Sequence, residues 1–184
     1  MKIGRAIPPA AAPISWTELI HGFQGIVNRE TEANLEEELK EYFRTGHAFL
    51  TSSGKAALFL ILSALKTLSG KTKVIIPAYT CFSVPSAIRL AELEIVLCDL
   101  QPGTFDFDYS SLERLIDDDV LCIVPTHLFG IPADLQKVRE LCGNRKIFIV
   151  EDAAQAMGAE FKGKKLGTFG DAGIFSLGRG KNIT

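Results

Sequence analysis

Three short runs in this chain are apolar without polar alternation: Val74-Ile75-Ile76, Leu121-Cys122-Ile123-Val124 and Ile147-Phe148-Ile149-Val150. Strands buried on both faces of a sheet have this character. Between them the apolar residues recur at helical spacing. The pattern predicts strands over 48–51, 73–76, 94–98, 120–125, 146–150 and 172–177. It predicts helices over 16–27, 31–43, 54–68, 82–91, 109–116 and 134–142. Asp108 opens the fifth helix, and Pro85 is tolerated because it falls in the first turn of the fourth. Residues 1–15 read as an extended, proline-rich arm, and residues 157–173 as a hairpin or long loop. Strands alternating with helices predict an α/β fold: a three-layer sandwich around a mostly parallel sheet.

Composition narrows the class of molecule. With 184 residues and 47% hydrophobic content, the chain has material for one large buried core. A net charge of −2 and the lack of a dense Lys/Arg run argue against nucleic acid as a partner. Cys81, Cys98, Cys122 and Cys142 form no CxxC pair, and His21, His47 and His127 are scattered. No zinc spacing or disulfide framework emerges, which points to a reducing compartment and no metal. The longest apolar run, 56–62, is far too short to span a bilayer. The start of the chain is too broken by proline to be a signal-peptide core. A soluble cytoplasmic protein with no membrane partner is expected.

In parallel sheets, ligands bind where the carboxyl ends of the strands open. The polar residues just past such ends are Ser52-Ser53-Gly54, Tyr79-Thr80-Cys81, His127 and Asp152. At Ser53-Gly54-Lys55-Ala56 a predicted helix start offers backbone N–H groups to an anion. An ordinary strand-to-helix turn has the same appearance. A Walker loop is excluded, because Phe49 stands where its first glycine belongs and Ala56 where Ser or Thr must follow the lysine. Asp152, ending an apolar strand, needs a partner for its charge; Gln155 lies within reach of the same ligand. Further on come Ser176 and Lys181, the latter flanked by Gly178 and Gly180. Each residue alone is more often a cap, a strand hydroxyl or a surface charge. Together and in this order they suit pyridoxal phosphate: a carboxylate for the pyridine nitrogen, a hydroxyl for the phosphate and a lysine for the Schiff base. Glu151 is assigned a structural role, and His127 fits either a pocket or a hydrogen-bonded loop. Lys162, Lys164 and Lys165 read as a solvated turn.

From Phe49 onward the motifs resemble those of the DegT/DnrJ/EryC1/StrS aminotransferases. They are Ser53-Gly54-x-Ala56-Ala57-Leu58, Ile76-Pro77-Ala78-Tyr79-Thr80, His127-Leu128-Phe129-Gly130-x-Pro132-Ala133-Asp134, Glu151-Asp152-Ala153-Ala154-Gln155-Ala156, Gly170-Asp171-x-Gly173-x-Phe175-Ser176 and Gly180-Lys181-Asn182. The resemblance implies the large cofactor-binding domain of an aspartate-aminotransferase-like fold over 47–184, incomplete and without its C-terminal small domain. Residues 1–46 would form an N-terminal arm and helices. It implies Lys181 as the catalytic Schiff-base lysine, Asp152 at the pyridine nitrogen and Gln155 beside the ring hydroxyl. Ser176 and the backbone of Gly54, Lys55 and Ala56 would hold the phosphate. It further implies transfer from an amino acid donor to a nucleotide-linked keto sugar, by a homodimer. Relatives with His at the lysine position are dehydratases, and Lys181 argues against that activity. Two positions depart from the family. Lys55 replaces a frequent Thr, and Cys81 occupies the place of an aromatic that stacks on the ring. The alternatives are a non-catalytic or regulatory cofactor-binding homologue and an inactive truncated fragment.

Overall fold

The computed structural model describes residues 15–27, 31–178 and 181. They fall into two compact units: residues 52–176, and the described residues among 1–51 and 177–184. The first unit is built on five parallel strands, β1 (Lys73–Pro77), β2 (Glu94–Cys98), β3 (Val120–Ile123), β4 (Phe148–Asp152) and β7 (Ala172–Ile174), ordered β2-β1-β3-β4-β7. A two-residue antiparallel hairpin, β5 (Glu160–Phe161) with β6 (Lys164–Lys165), lies between β4 and β7 in sequence.

Helices cover both faces. Val74, Ile76, Val150 and Ile174 pack with Leu58 and Leu62 of α3 (Gly54–Ser69) and with Val84, Ala87 and Ile88 of α4 (Ser83–Leu90). The alternate strand residues Ile75, Ile123 and Ile149 pack with Leu112 of α5 (Tyr109–Leu115) and with Leu135 and Val138 of α6 (Leu135–Cys142). Burial of each such side chain stabilises by roughly 1.5–3 kcal/mol. The helix starts are set by polar caps. Ser53 Oγ accepts from Ala56 N (3.1 Å), Asp108 Oδ1 from Ser111 N (2.8 Å) and Asp134 Oδ1 from Lys137 N (3.0 Å). α3 ends at Gly70, whose φ of 72° a side chain would oppose. The α/β reading of the sequence is thus borne out.

Several boundaries differ from the sequence pattern; β7, for one, stops at Ile174 where a strand to residue 177 is expected. Residues 48–51 form no strand; the Leu50 amide donates instead to Glu36 Oε1 (2.8 Å), which lies in α2 (Thr31–Phe43). β3 stops at Ile123, ahead of Pro125, which has no N–H for a ladder. β4 begins later and runs two residues further than the apolar run suggests. The carbonyl of Lys146 is taken by Lys71 Nζ (2.9 Å), while β7 pairs with Val150, Glu151 and Asp152. In the other unit the structure places α1 (Trp16–Val27) and α2 where periodicity predicts them. The expected arm lies outside the described residues, apart from Ser15.

Candidate functional site

β1 has β2 on one side and β3 on the other, so the connections leaving β1 and β3 depart in opposite directions. Their carboxyl ends therefore open a crevice at a topological switch point. Thr80 beyond β1 and Thr126 beyond β3 face each other there, with their Oγ1 atoms 3.5 Å apart. The sequence reading singled out neither hydroxyl as a site residue.

Asp152 lies one strand further along. Its amide donates to Pro125 O and its carbonyl accepts from His127 N, both at 2.9 Å, and it bridges Thr126 in parallel fashion. The backbone is thus fixed on one side by the β3 extension and on the other by β7. The side chain is only 5% exposed, and Oδ1 accepts from Ala154 N (3.1 Å). Strand residues alternate faces, so Asp152 shares the face of Val150, towards α3 and α4. A carboxylate held at such a place favours a cationic neighbour.

Glu151 points to the opposite face and is completely buried. His127 is equally buried, and its Nδ1 accepts from Ala133 N (3.1 Å). The ring proton therefore sits on Nε2, which donates to Glu151 Oε2 (2.8 Å). Gly167 N also donates to Oε2 (2.8 Å), and Gly170 N donates to Oε1. One carboxylate thus ties together the loop after β3, the end of β4 and the glycine-rich run before β7. That run lies against the sheet so closely that a side chain at Gly173 would strike the Gly167 carbonyl, and one at Gly170 the Ile149 carbonyl. Asp171 reinforces the contact, its amide donating to Ile149 O (2.8 Å) while its Oδ2 accepts from Ile149 N (2.7 Å). The structural role expected of Glu151 is what the geometry gives, and His127 is its partner.

The remaining candidates fall into four groups. Gly54 lies next to the Phe175 carbonyl, which an added Cβ would meet at 3.5 Å, an ordinary contact distance. The turn of Gly54, Lys55 and Ala56 is thereby brought beside the segment leading to Ser176, with Lys55 itself exposed. Gln155 Oε1 accepts from Phe129 N (3.0 Å). Cys81 is exposed, and its Sγ accepts from Ser83 Oγ (3.1 Å). Lys181 belongs to the other unit, where its amide donates to Gly178 O (3.1 Å). Among the described residues there is no cluster of His, Cys, Asp and Glu fit to hold a metal, and no helix long and apolar enough to cross a membrane.

Comparison with known proteins matches this architecture. The chain is 35% identical over 153 residues to L-glutamine:2-deoxy-scyllo-inosose aminotransferase of Streptomyces kanamyceticus, covering 83% of this chain and 36% of that protein. It is 34% identical over 149 residues to GDP-perosamine synthase of Escherichia coli O157:H7, covering 81% and 41%. The solved PLP form of Spr1654 from Streptococcus pneumoniae superposes with a TM-score of 0.89 at 29% identity, over 97% of this chain and 50% of that one. The chain thus spans between about a third and a half of the length of these relatives. The family model for the DegT/DnrJ/EryC1/StrS aminotransferases matches residues 17–184. The chain belongs to the DegT/DnrJ/EryC1/StrS aminotransferase family.

Proposed function

We propose that this chain supplies the cofactor-binding part of a pyridoxal-phosphate-dependent aminotransferase. It would move an amino group from an amino acid donor to a keto sugar carried on a nucleotide. The observation that carries the reading is Asp152, a buried carboxylate at the carboxyl end of β4, beside the switch point of a parallel sheet. Two relatives support the substrate class: one is named as an aminotransferase and the other for a GDP-linked sugar. In this reading residues 47–184 are the major domain and 1–46 the arm, and the enzyme works as a cytoplasmic homodimer.

The donor set suits the group. A buried acid matches a protonated ring nitrogen, and the start of α3 with the adjoining Phe175–Ser176 segment matches a phosphate. When bound, pyridoxal phosphate supplies an electron sink for the carbanion at the amino-bearing carbon. Asp152 would hold the proton on the ring nitrogen. Backbone amides of Gly54, Lys55 and Ala56, with the Ser176 hydroxyl, would hold the phosphate. Lys181 would anchor the group covalently, and its amine would carry a proton at the substrate carbon. Gln155 positions the loop that carries Phe129 and would lie beside the ring hydroxyl. Glu151 and His127 fix the end of β4 against the glycine-rich run, so that Asp152 is already in place before substrate binds.

The test is reduction with borohydride after loading with pyridoxal phosphate. The expected result is a cofactor absorbance band and covalent label on Lys181, with both lost in Lys181→Ala. A band and transfer activity that survive that substitution would overturn the assignment. The exposure of Cys81, where an aromatic is expected, favours a second reading: a homologue that binds the cofactor without transfer. Retained cofactor with no transfer from glutamate or glutamine would select it.

A further inference from the structure

Three large aromatic side chains stand exposed at the carboxyl edge of the sheet: Tyr79 (59%), Phe105 (40%) and Phe129 (64%). They come from the loops after β1, β2 and β3, which are adjacent strands. The Tyr79 and Phe105 rings lie 6.4 Å apart and nearly parallel, at 28°. Phe105 and Phe129 meet edge to face at 5.3 Å. The three therefore form one continuous surface, where isolated exposed rings would call for no explanation.

Two features hold this surface rigid. Phe129 has φ 57° and ψ 21°, a left-handed conformation unfavourable for a bulky residue. It is held there by the bond from its amide to Gln155 Oε1, and by Gly130, which continues the turn at φ 78°. The Phe105 loop is fixed by its neighbour Asp106. The Asp106 carbonyl accepts from Gln101 N (3.0 Å) and its Oδ2 from Tyr109 Oη (2.6 Å) and Asp134 N (2.9 Å). Backbone strain at a site rim, sustained by a residue of the Asp152-to-Gln155 turn, is the kind of outlier that marks function.

We propose that Tyr79, Phe105 and Phe129 form a stacking platform for the base of a nucleotide-linked substrate. The proposal rests on the aminotransferase reading, since it takes the reacting end of the substrate to lie at Asp152. From β4 the platform extends across β3 and β1 towards β2. At the usual strand separation, this is a span of about 10–15 Å. A lone sugar or cyclitol reacting over Asp152 does not cover two to three strand spacings, whereas a sugar joined through a diphosphate to a nucleoside does. Every base has a π-face, so the platform gives affinity for the nucleotide without fixing which base is carried.

The test uses the full protein, with GDP and UDP alone as titrants. Phe105→Ala is expected to weaken both by roughly 5- to 150-fold, the range of one lost base–aromatic stack. Phe105→Leu, which keeps apolar area for packing, is expected to weaken them similarly, and Phe105→Tyr to restore them. Borohydride labelling of Lys181 is expected to be unchanged in all three. Nucleotide affinity unchanged in Phe105→Leu overturns the platform, as does failure of the parent protein to bind either nucleotide at millimolar concentration. A variant that loses self-association while keeping nucleotide affinity also overturns it and assigns the surface to a subunit contact. If the parent shows no label at Lys181 but Phe105→Leu still weakens nucleotide binding, the aminotransferase reading fails and the platform stands.

Discussion

Glu151 and Asp152 are neighbours in sequence, and both are buried acids, but they face opposite sides of the same strand end. Glu151 is enclosed by three donors from this chain: the His127 ring and the amides of Gly167 and Gly170. Asp152 stands where the strand ends open, with its backbone fixed on both sides by Pro125, His127 and Ile174. One carboxylate is a lock whose three donors arrive from distant loops. The other takes a donor from its own turn, Ala154 N to Oδ1 (3.1 Å), at the edge where the crevice opens. The contrast teaches that burial of an acid does not reveal its role; where it sits and which donors reach it do.

The largest effect is expected from Glu151→Leu. It leaves two buried donors and the half-buried Gly170 amide without an acceptor, at about 1–3 kcal/mol for each buried one, so a loss of several kcal/mol in a urea melt, or failure to fold, is predicted. A midpoint close to the parent's would remove the lock from the account. By contrast, Asp152→Asn is predicted to change stability by roughly 1 kcal/mol or less, within the range of ordinary substitutions, while abolishing stable retention of pyridoxal phosphate. A variant that melts like Glu151→Leu would erase the contrast between the two acids. His127→Phe sits between them, since it takes one donor from Glu151 and leaves Ala133 N without its acceptor. A cost of about 2–6 kcal/mol is expected from two such losses, read from the same melt. Smaller still is Ser53→Ala, which removes the cap of α3. About 1 kcal/mol of stability should go with it, read from the same melt.

Thiol labelling probes the comparison without mutation. Burial pushes Cys98 up to about 12 and also raises Cys122 and Cys142, whereas Cys81 is exposed. Only the thiolate reacts, so in the native protein near pH 8 one equivalent of a disulfide reagent should be consumed, at Cys81. Pyridoxal phosphate should slow that reaction. Rapid labelling of a second thiol would show that the sheet is looser than its packing implies.

Much of this fold was legible in the sequence, because uninterrupted apolar runs at Val74, Leu121 and Ile147 leave few alternatives to strands buried on both faces. Asp108 announced its helix because a side-chain cap acts within three residues, whereas Asp134, counted into its helix, proved to be the cap before it. Residues 48–51 misled: a short apolar run does not specify a strand unless a ladder partner exists, and the Leu50 amide bonds to a glutamate side chain instead. The direction of Glu151 followed from strand alternation, but its partners did not, since Gly167 and Gly170 arrive from a loop without periodicity. The aromatic platform was invisible for a similar reason. Tyr79, Phe105 and Phe129 stand more than twenty residues apart, and only the strand order β2-β1-β3 unites them.

The central claim is that Asp152 readies a site whose covalent anchor is Lys181. Its most direct test is peptide mass analysis of the protein after loading with pyridoxal phosphate and reducing with borohydride. The account predicts label on the peptide carrying Lys181, and its loss in Asp152→Asn while the fold is kept. Label spread over surface lysines, or equal label at Lys181 with and without the Asp152 carboxylate, would contradict it.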